Sequence, residues 1–176
     1  MTPDQRFAAC FPITEAWEGW HQYSNDPIDP GGMTWCGLTQ RAYTAYRAQK
    51  GLPYQWVKTA SDDEIKDCFR INYWNAVRGD ELPAGLDLVM YDIAINSGPI
   101  TAIKFLQQAL DVSVDGQFGL DTMGALKAKD AAWLINKICD HRESFWKSLT
   151  TFWRFGPGWM NRGKSIRAKA LAMVGN

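Results

Sequence analysis

The most reactive grouping of side chains lies between residues 18 and 39, in the stretch EGWHQYSNDPIDPGGMTWCGLT. Glu18 stands among tryptophans, and Asp26 and Asp29 follow in a turn-rich loop that also holds two Asp-Pro pairs and a Gly-Gly pair. Thr34 comes directly after that loop. One carboxyl group in apolar surroundings and a second in a polar turn are the pair that acid and base catalysis across a single bond requires.

Cleavage of a glycosidic bond uses such a pair, because a protonated acid meets the leaving oxygen while a second carboxylate activates water or attacks directly. Glu18 is the candidate acid, since apolar neighbours and the negative end of a helix both favour the neutral carboxyl group. Asp26 and Asp29 compete for the second role, and Asp29 is preferred because the prolines and the Gly-Gly pair around it fix its backbone. Thr34 is a candidate to hold the attacking water by hydrogen bonding.

A plainer interpretation of the same residues is structural. Asp before Pro is common in turns, where its side chain accepts backbone hydrogen bonds. A single Glu at a helix end is often only solvated. The residue types alone therefore leave both the catalytic and the structural interpretation open.

The element that carries Glu18 is predicted to be a short amphipathic helix that opens at Pro12 and ends near Gly19. Its apolar residues, Ile13, Ala16, Trp17 and Trp20, follow helical spacing. The segment 21–33 contains the Asp-Pro pairs and the Gly-Gly pair, so it is not expected to be helical. It predicts a small hairpin lobe that folds back to Thr34.

The rest of the chain is predicted to be helical. Thr39 predicts an N-cap for a helix to about Gln49, and Ser61 a capping box for a helix to about Val77. Residues 86–96 are apolar nearly all round, which indicates a fully buried helix. Further helices are predicted at about 102–110, 121–128, 130–153 and 161–174, with a turn at Gly156-Pro157-Gly158. The fold class is therefore mainly α with one small strand lobe.

Charge is uneven along a chain whose net charge is zero. Residues 151–176 contain five basic residues and no acidic one: Arg154, Arg162, Lys164, Arg167 and Lys169. No nucleic-acid motif accompanies them, so nucleic acid is not an expected partner. We expect an ordinary terminal helix with a solvated basic face. That face, through Arg162, Lys164, Arg167 and Lys169, is expected to attract outer-membrane lipopolysaccharide as a side effect.

The four cysteines, Cys10, Cys36, Cys68 and Cys139, lack the spacing of a zinc site and are expected to be free buried thiols. The N-terminus has no basic flank followed by a long apolar run, so no secretory signal is expected. No window reaches the roughly 18 apolar residues of a membrane helix. Synthesis in the cytoplasm is the resulting expectation.

The run Glu18-Gly19, Asp26-Pro27, Asp29-Pro30-Gly31-Gly32-Met33-Thr34 and Gly37-Leu38-Thr39 resembles the opening signature of glycoside hydrolase family 108. The likeness continues in Tyr91-Asp92, Asn96-Ser97-Gly98 and Leu106-Gln107. It ends in Val114-Asp115-Gly116, Gly119 and Thr122, similar to the peptidoglycan-binding segment of that family. Together these motifs cover about residues 7–150.

The resemblance implies a lysozyme-like helical domain with a hairpin lobe beside the active-site cleft, and an N-acetylmuramidase without metal or organic cofactor. It implies a catalytic region at 1–97 and a helical peptidoglycan-binding-like region at 98–176, packed together as one globular unit. Glu18, Asp29 and Thr34 would be the catalytic residues, and the same order in phage lysozymes suggests inversion. We assign substrate binding to His21, Asp26, Trp35, Tyr91 and Asn96.

The implied role is that of a phage or prophage endolysin, a monomer that reaches the periplasmic cell wall through a holin-type lesion and cleaves peptidoglycan. A non-catalytic wall-binding module and a lytic transglycosylase that uses only Glu18 remain the alternatives. Two positions depart from the family pattern, because Trp20 replaces a usual glycine and Cys36 a usual aromatic residue. Both departures bear on the cleft wall.

Overall fold

The structure is a computed structural model that describes residues 1–24 and 33–175. It is 72% helical with a small antiparallel sheet of three strands, so the predicted mainly α class with a strand lobe is confirmed. The chain divides into two compact units, residues 1–75 and 76–176. This division comes earlier in the chain than the boundary after Ser97 expected from the sequence. Of the described helices, none is long and apolar enough to cross a membrane.

In the first unit, helix α1 spans Pro3–Glu18. Its start was predicted wrongly at Pro12, which lies inside the helix. The helix begins earlier because Thr2 and Gln5 form a capping box: the Gln5 N–H donates to the Thr2 hydroxyl (3.3 Å) and the Gln5 side chain accepts from the Thr2 N–H (2.8 Å). The predicted end is confirmed, since Gly19 adopts the left-handed conformation with φ 67°.

The buried face of α1 is aromatic. Phe7 contacts Trp74 at 5.4 Å between ring centroids, and Phe11 contacts Phe69 at 5.9 Å and Trp20 at 5.4 Å, each near edge-to-face. Such tilted pairs add to the stability that apolar burial supplies. They fix the helix that ends in Glu18 against the helix near residue 70.

The strand lobe consists of β1 (Tyr23–Ser24), β2 (Thr34–Trp35) and β3 (Leu38–Thr39), which form an antiparallel sheet in that order. Trp35 pairs with both Tyr23 and Leu38. Asp26 and Asp29 lie in residues 25–32, outside the described residues. The strands of the predicted lobe are confirmed.

Helices α2 (Gln40–Gln49) and α3 (Asp62–Phe69) complete the first unit, with a short 3-10 turn at Val57–Thr59. Both predicted caps are confirmed, because the Ala42 N–H donates to the Thr39 hydroxyl at 3.2 Å and Ser61 forms a capping box with Glu64. The helical run after α3 reaches Val77 as predicted. It changes type on the way, to a π-helix at Arg70–Trp74 and a 3-10 turn at Asn75–Val77.

The second unit is built from a 3-10 turn at Gly79–Glu81 and helices α4 (Leu86–Ser97), α5 (Pro99–Leu110), α6 (Leu120–Lys127), α7 (Ala131–Ser148) and α8 (Phe152–Met173). Residues 86–94 of α4 are all buried, which confirms the helix predicted to be apolar on every side. Helices α5, α7 and α8 pack around it.

The turn predicted at Gly156-Pro157-Gly158 is wrong, because α8 passes through it without a break. A side chain at Gly156 would have its β-carbon 2.7 Å from the Phe152 ring, so only glycine lets that ring lie flat on the helix. Phe155 and Trp159 also contact each other one turn apart, at 5.7 Å. Aromatic packing here outweighs the local preference of Gly and Pro for a turn.

Candidate active site

Glu18 is the last residue of α1 and is half-buried. The chain turns sharply after it, since Gly19 and His21 both have positive φ (67° and 57°) and the Gln22 N–H donates to the Gly19 carbonyl at 2.9 Å. This turn brings the strand lobe back toward the helix end.

The turn between β2 and β3 lies directly against Glu18. Cys36 (φ 52°) and Gly37 (φ 74°) form a two-residue connection with both residues left-handed, the geometry that tight hairpins prefer. A β-carbon at Gly37 would lie 2.9 Å from the Glu18 β-carbon and 3.2 Å from its carboxylate Oε2. Only glycine fits there, so the backbone of this turn forms one wall around the Glu18 side chain.

Cys36 fastens the turn to the segment that follows Glu18. Its sulfur accepts a hydrogen bond from the His21 N–H at 3.3 Å, and its own N–H donates to the Gln22 carbonyl at 3.2 Å. Burial raises the pKa of the Cys36 thiol; the His21 hydrogen bond lowers it, and the charges of Asp62 and Glu15 raise it further. Cys36 therefore remains a neutral thiol with a packing role. All four cysteines are free and buried, as predicted.

The His21 ring lies on an aromatic surface beside this turn. It stacks on Trp35 at 5.8 Å with 24° between the planes and contacts Trp20 at 5.5 Å. Its Nε2 lies 3.1 Å from Asp62 Oδ1, and more than half of each of those two side chains is exposed. The structure thus brings together two predicted substrate-binding residues, His21 and Trp35, as a flat surface of the kind on which sugar rings stack. Their binding role stays a prediction.

Thr34 is half-buried in β2, where it pairs with Ser24 and Thr39. It is next to Trp35 in the strand whose following turn covers Glu18. Its predicted role, to hold the attacking water, remains a prediction. Asp26 and Asp29, the two candidates for the second carboxylate, fall in the part of the chain that the structure leaves undescribed.

Tyr73 is a residue near Glu18 that the sequence did not single out. Burial raises the pKa of its phenol, and the charges of Cys68 and Glu18 raise it further, so Tyr73 lies within electrostatic range of the Glu18 carboxylate. It belongs to the π-helix at Arg70–Trp74, a helix type that occurs frequently at functional sites. No pattern in the sequence distinguishes this wide turn from an α-helix, which explains why Tyr73 was missed.

In the second unit, Tyr91 and Asp92 are fully buried. Asp92 accepts hydrogen bonds from Arg142 at 2.6 Å and from the Nε of Arg162 at 2.9 Å, and the Nη2 of Arg162 lies 2.8 Å from the same carboxylate oxygen. Asp92 therefore serves as the buried partner of two arginines. The substrate-binding roles of Tyr91 and Asn96 stay predictions, and Tyr91 presents no surface to a ligand in this conformation.

The motif from Asp115 to Thr122 is a loop organised by the buried Gln107 amide. Gln107 donates to Asp115 Oδ1 at 2.7 Å and to the Gln117 carbonyl at 2.9 Å, and its oxygen accepts from the Gly116 N–H at 2.8 Å. The loop leads directly into α6. A cavity of about 230 Å³ lies beside it.

The basic face predicted on α8 is smaller than the sequence suggests. Arg162 is buried on Asp92, and Arg167 pairs with Asp140 at 2.7 Å and Glu143 at 3.2 Å. Lys164 and Lys169 are exposed. Lipopolysaccharide contact stays a prediction, to which these two lysines contribute most. Within residues 1–24 and 33–175, no cluster of three or more His, Cys, Asp or Glu side chains has the arrangement of a metal site.

Comparisons with known proteins agree with this architecture. The chain matches a family model described as Glycosyl hydrolase 108 over residues 11–98 and one described as Predicted Peptidoglycan domain over residues 101–164. It is similar to a solved structure, described as the structure of Brucella abortus SagA, with a TM-score of 0.84 and 38% identity over 98% of each chain. A comparison with curated proteins gives no match.

Proposed function

Because this chain belongs to glycosyl hydrolase family 108 and carries a predicted peptidoglycan domain, we propose that it is a muramidase. The lysozyme-like fold and the family support a glycoside hydrolase that acts on peptidoglycan. The proposed reaction is hydrolysis of the β-1,4 bond between N-acetylmuramic acid and N-acetylglucosamine. Glu18 is the proposed proton donor.

The observation that carries this proposal is the close fit of the β2–β3 turn on Glu18. A β-carbon built on Gly37 would lie 2.9 Å from the Glu18 β-carbon, so the turn backbone is close enough to restrict the rotamers of the carboxyl group. Catalytic groups tolerate little positional error, and such restriction supplies the placement that a general acid needs. Beside it, His21 and Trp35 offer a flat surface for a sugar ring.

In the proposed mechanism, Glu18 donates its proton to the glycosidic oxygen as that bond breaks. Asp29, with Asp26 as the alternative, activates a water that Thr34 orients, and the water attacks the anomeric carbon. An attack from the opposite face would invert the configuration at that carbon. The role of endolysin, with holin-type release to the periplasm, and the monomeric state are finer proposals that rest on the family resemblance alone.

The replacement Glu18→Gln tests the central step. We expect it to slow the release of soluble fragments from purified peptidoglycan by roughly a thousandfold, because a glutamine cannot protonate the leaving oxygen. Glu15→Gln is the matched control, since Glu15 lies on the same helix one turn earlier, and its rate should stay near that of the unmodified protein. If Glu18→Gln retains the unmodified rate, the Glu18 mechanism is wrong.

Mass spectrometry of the released fragments separates the alternative functions. Hydrolysis yields reducing sugar ends, a transglycosylase yields anhydro ends lighter by one water, and a binding module releases nothing. In the same assay, Asp29→Asn and Asp26→Asn distinguish the two candidates for the second carboxylate.

A further inference from the structure

The flat surface formed by His21 and Trp35 continues onto strand β1 of the first unit. Tyr23 in β1 and Trp35 in β2 are directly opposite each other in the antiparallel sheet, so their side chains lie on the same face. Tyr23 is 42% exposed, and Trp35 is half-buried. Three aromatic side chains, those of His21, Trp35 and Tyr23, therefore follow one another along this face.

A cation lies at the Tyr23 end of this surface. Lys58 Nζ is 4.8 Å from the centroid of the Tyr23 ring, a distance at which the electron-rich ring face attracts a cation. The Lys58 side chain is exposed, and among residues 1–24 and 33–175 it has no carboxylate partner. An ammonium group has three donors, and one ring face does not use all of them. Lys58 is therefore available to bind an anion.

The turn that carries Lys58 is held in place on both sides. Val57 is fully buried, and its N–H donates to Gln40 Oε1 at 2.8 Å, while the Gln40 amide donates to the Gln55 carbonyl at 2.9 Å. The Gln55 amide donates in turn to the Thr59 carbonyl at 2.9 Å. The backbone of Lys58 is thus fixed before a ligand arrives, which lowers the entropy that binding costs.

The charge around this turn favours an anionic ligand. Residues 33–60 contain no acidic residue and four basic ones: Arg41, Arg47, Lys50 and Lys58. Arg47 pairs with Glu64 of α3. Lys50 pairs with Asp67 of the same helix. The positive charge of Lys58, by contrast, is not neutralised by any carboxylate that the structure describes.

The position of Lys58 also limits which anion it binds. Because Lys58 covers the Tyr23 ring, a sugar stacks on the other two rings, one aromatic residue away from the ammonium. A carboxylate that reaches Lys58 must therefore extend outward from the sugar. In peptidoglycan, the peptide attached to muramic acid extends in this way and carries carboxylates.

We propose that Lys58 is a specificity-determining residue, which binds a carboxylate of that peptide while the adjacent aromatic surface holds the glycan. The identity of the glycan rests on the proposed function, but the preference for an acidic ligand over a neutral one does not. The contact is a charge-assisted hydrogen bond, which a neutral glycan such as chitin cannot form.

Calorimetric titration with two forms of one ligand tests this role. The first is a soluble glycan strand that bears its peptides, and the second is the same strand after its carboxylates have been converted to neutral amides. A Glu18→Gln background slows cleavage of both. We expect the parent to bind the acidic form roughly tenfold more tightly than the neutral form, and Lys58→Gln to bind the two forms equally. A full preference in Lys58→Gln, or none in the parent, would overturn the proposal.

Lys66→Gln is the matched control. Lys66 is also exposed in the first unit and also lies over an aromatic ring, that of Phe11 at 5.7 Å. It should keep the tenfold preference, so a loss equal to that of Lys58→Gln would show a general effect of charge and refute the site. Lys58→Arg keeps the cation and should keep most of the preference.

A strand freed of its peptides by an amidase tests the source of the carboxylate, because its carboxylates are those of the lactyl groups joined to the sugar. The parent and Lys58→Gln should bind this strand alike. A tenfold loss in Lys58→Gln on this ligand would overturn the assignment to the peptide.

Fragment release by the protein with Glu18 intact separates this inference from the proposed function. There, Lys58→Gln should raise KM for peptide-bearing strands roughly tenfold and leave kcat near its original value. If peptidoglycan is cleaved but Lys58→Gln keeps the preference, the proposed function stands and the role of Lys58 does not. If Lys58→Gln loses the preference while no variant cleaves, Lys58 selects an acidic ligand and the proposed function fails.

Discussion

The two units position their polar residues in opposite ways. In the first, the Glu18 side chain lies against a two-residue turn of left-handed backbone, which hydrogen bonds between Cys36 and residues 21 and 22 fasten. In the second, Asp92 is fixed by two arginines from α7 and α8 inside a packed core. The first arrangement places a reactive group at a partly open surface, whereas the second satisfies charges that are buried.

This difference separates what each carboxylate contributes. Strained backbone beside a carboxyl group is typical of functional sites, where placement matters more than stability. A buried, multiply bonded carboxylate is needed mainly because its removal would leave buried cations without their partner. We therefore expect changes in the second unit to lower stability, and changes at the turn to lower the rate of hydrolysis more than stability.

The largest loss of stability is expected from Asp92→Asn. It keeps the size of the side chain but removes the negative charge to which Arg142 and Arg162 donate, and breaking a buried pair of this kind costs about 3–5 kcal/mol. Denaturant titration should show that decrease in the free energy of unfolding. Asp140→Asn is the control: the Asp140 side chain is 62% exposed, and an exposed pair is worth about 1 kcal/mol or less. Equal effects of the two variants would remove the contrast between the units.

Compared with Asp92→Asn, Gly37→Ala is expected to cause a smaller loss of stability and a larger loss of the rate of peptidoglycan hydrolysis. A left-handed residue with a side chain costs about 1–2 kcal/mol. In addition, the new β-carbon would lie 2.9 Å from that of Glu18, and the resulting shift should slow peptidoglycan cleavage roughly a hundredfold. Rates of fragment release and denaturant titrations measure the two effects separately.

Gly51→Ala is the matched control for this prediction. Gly51 also has a positive φ of 68°, but an added β-carbon there meets no atom within 4 Å. It should lose a similar amount of stability and keep its activity. If both glycine variants hydrolyse peptidoglycan equally fast, the turn does not position Glu18.

The smallest effect on stability is expected at Asp67, which forms a partly exposed ion pair with Lys50 in the first unit. Burial raises the pKa of Asp67, but hydrogen bonds from Lys50 and Tyr46 outweigh this and lower it overall. A lowered pKa means that the carboxylate stabilises the fold above its unfolded pKa of about 3.9, and that this contribution is lost as the pH falls through the folded pKa. At 36% exposure of the Asp67 side chain, solvent screening keeps the contribution small.

Asp67→Asn should therefore be slightly less stable than the unmodified protein near neutral pH, and the difference should shrink below about pH 4. Free energies of unfolding across that range measure it. A difference that stays constant down to the most acidic pH would show that the ionised carboxylate contributes nothing.

Local patterns predicted those parts of the fold that local chemistry determines. The caps at Thr39 and Ser61, the left-handed end of α1 at Gly19 and the apolar α4 all follow from residue types at short spacing. The start of α1 and the turn at Gly156-Pro157-Gly158 were predicted wrongly for different reasons. The capping box of Thr2 and Gln5 begins α1 ahead of Pro12, whereas aromatic packing keeps residues 156–158 helical.

The site was predictable only in part, because some of its contacts join segments that are distant in the sequence. Glu18 and the Gly37 motif stand within one short stretch, and the sequence singled out both. Tyr73 and the bond between Cys36 and His21 depend on segments that the fold brings together, and no spacing along the chain indicates them. Such residues can be found only when the three-dimensional structure is known.

The most direct test of the account asks whether Glu18 protonates the leaving oxygen. Glu18→Gln is compared with the unmodified protein on two oligosaccharide substrates that differ only in the leaving group: a sugar, or a dinitrophenolate that departs without a proton. We expect a loss of roughly a thousandfold on the first and less than about tenfold on the second, because only the first needs a general acid. Equal losses on both substrates would contradict the assignment of Glu18 as the proton donor.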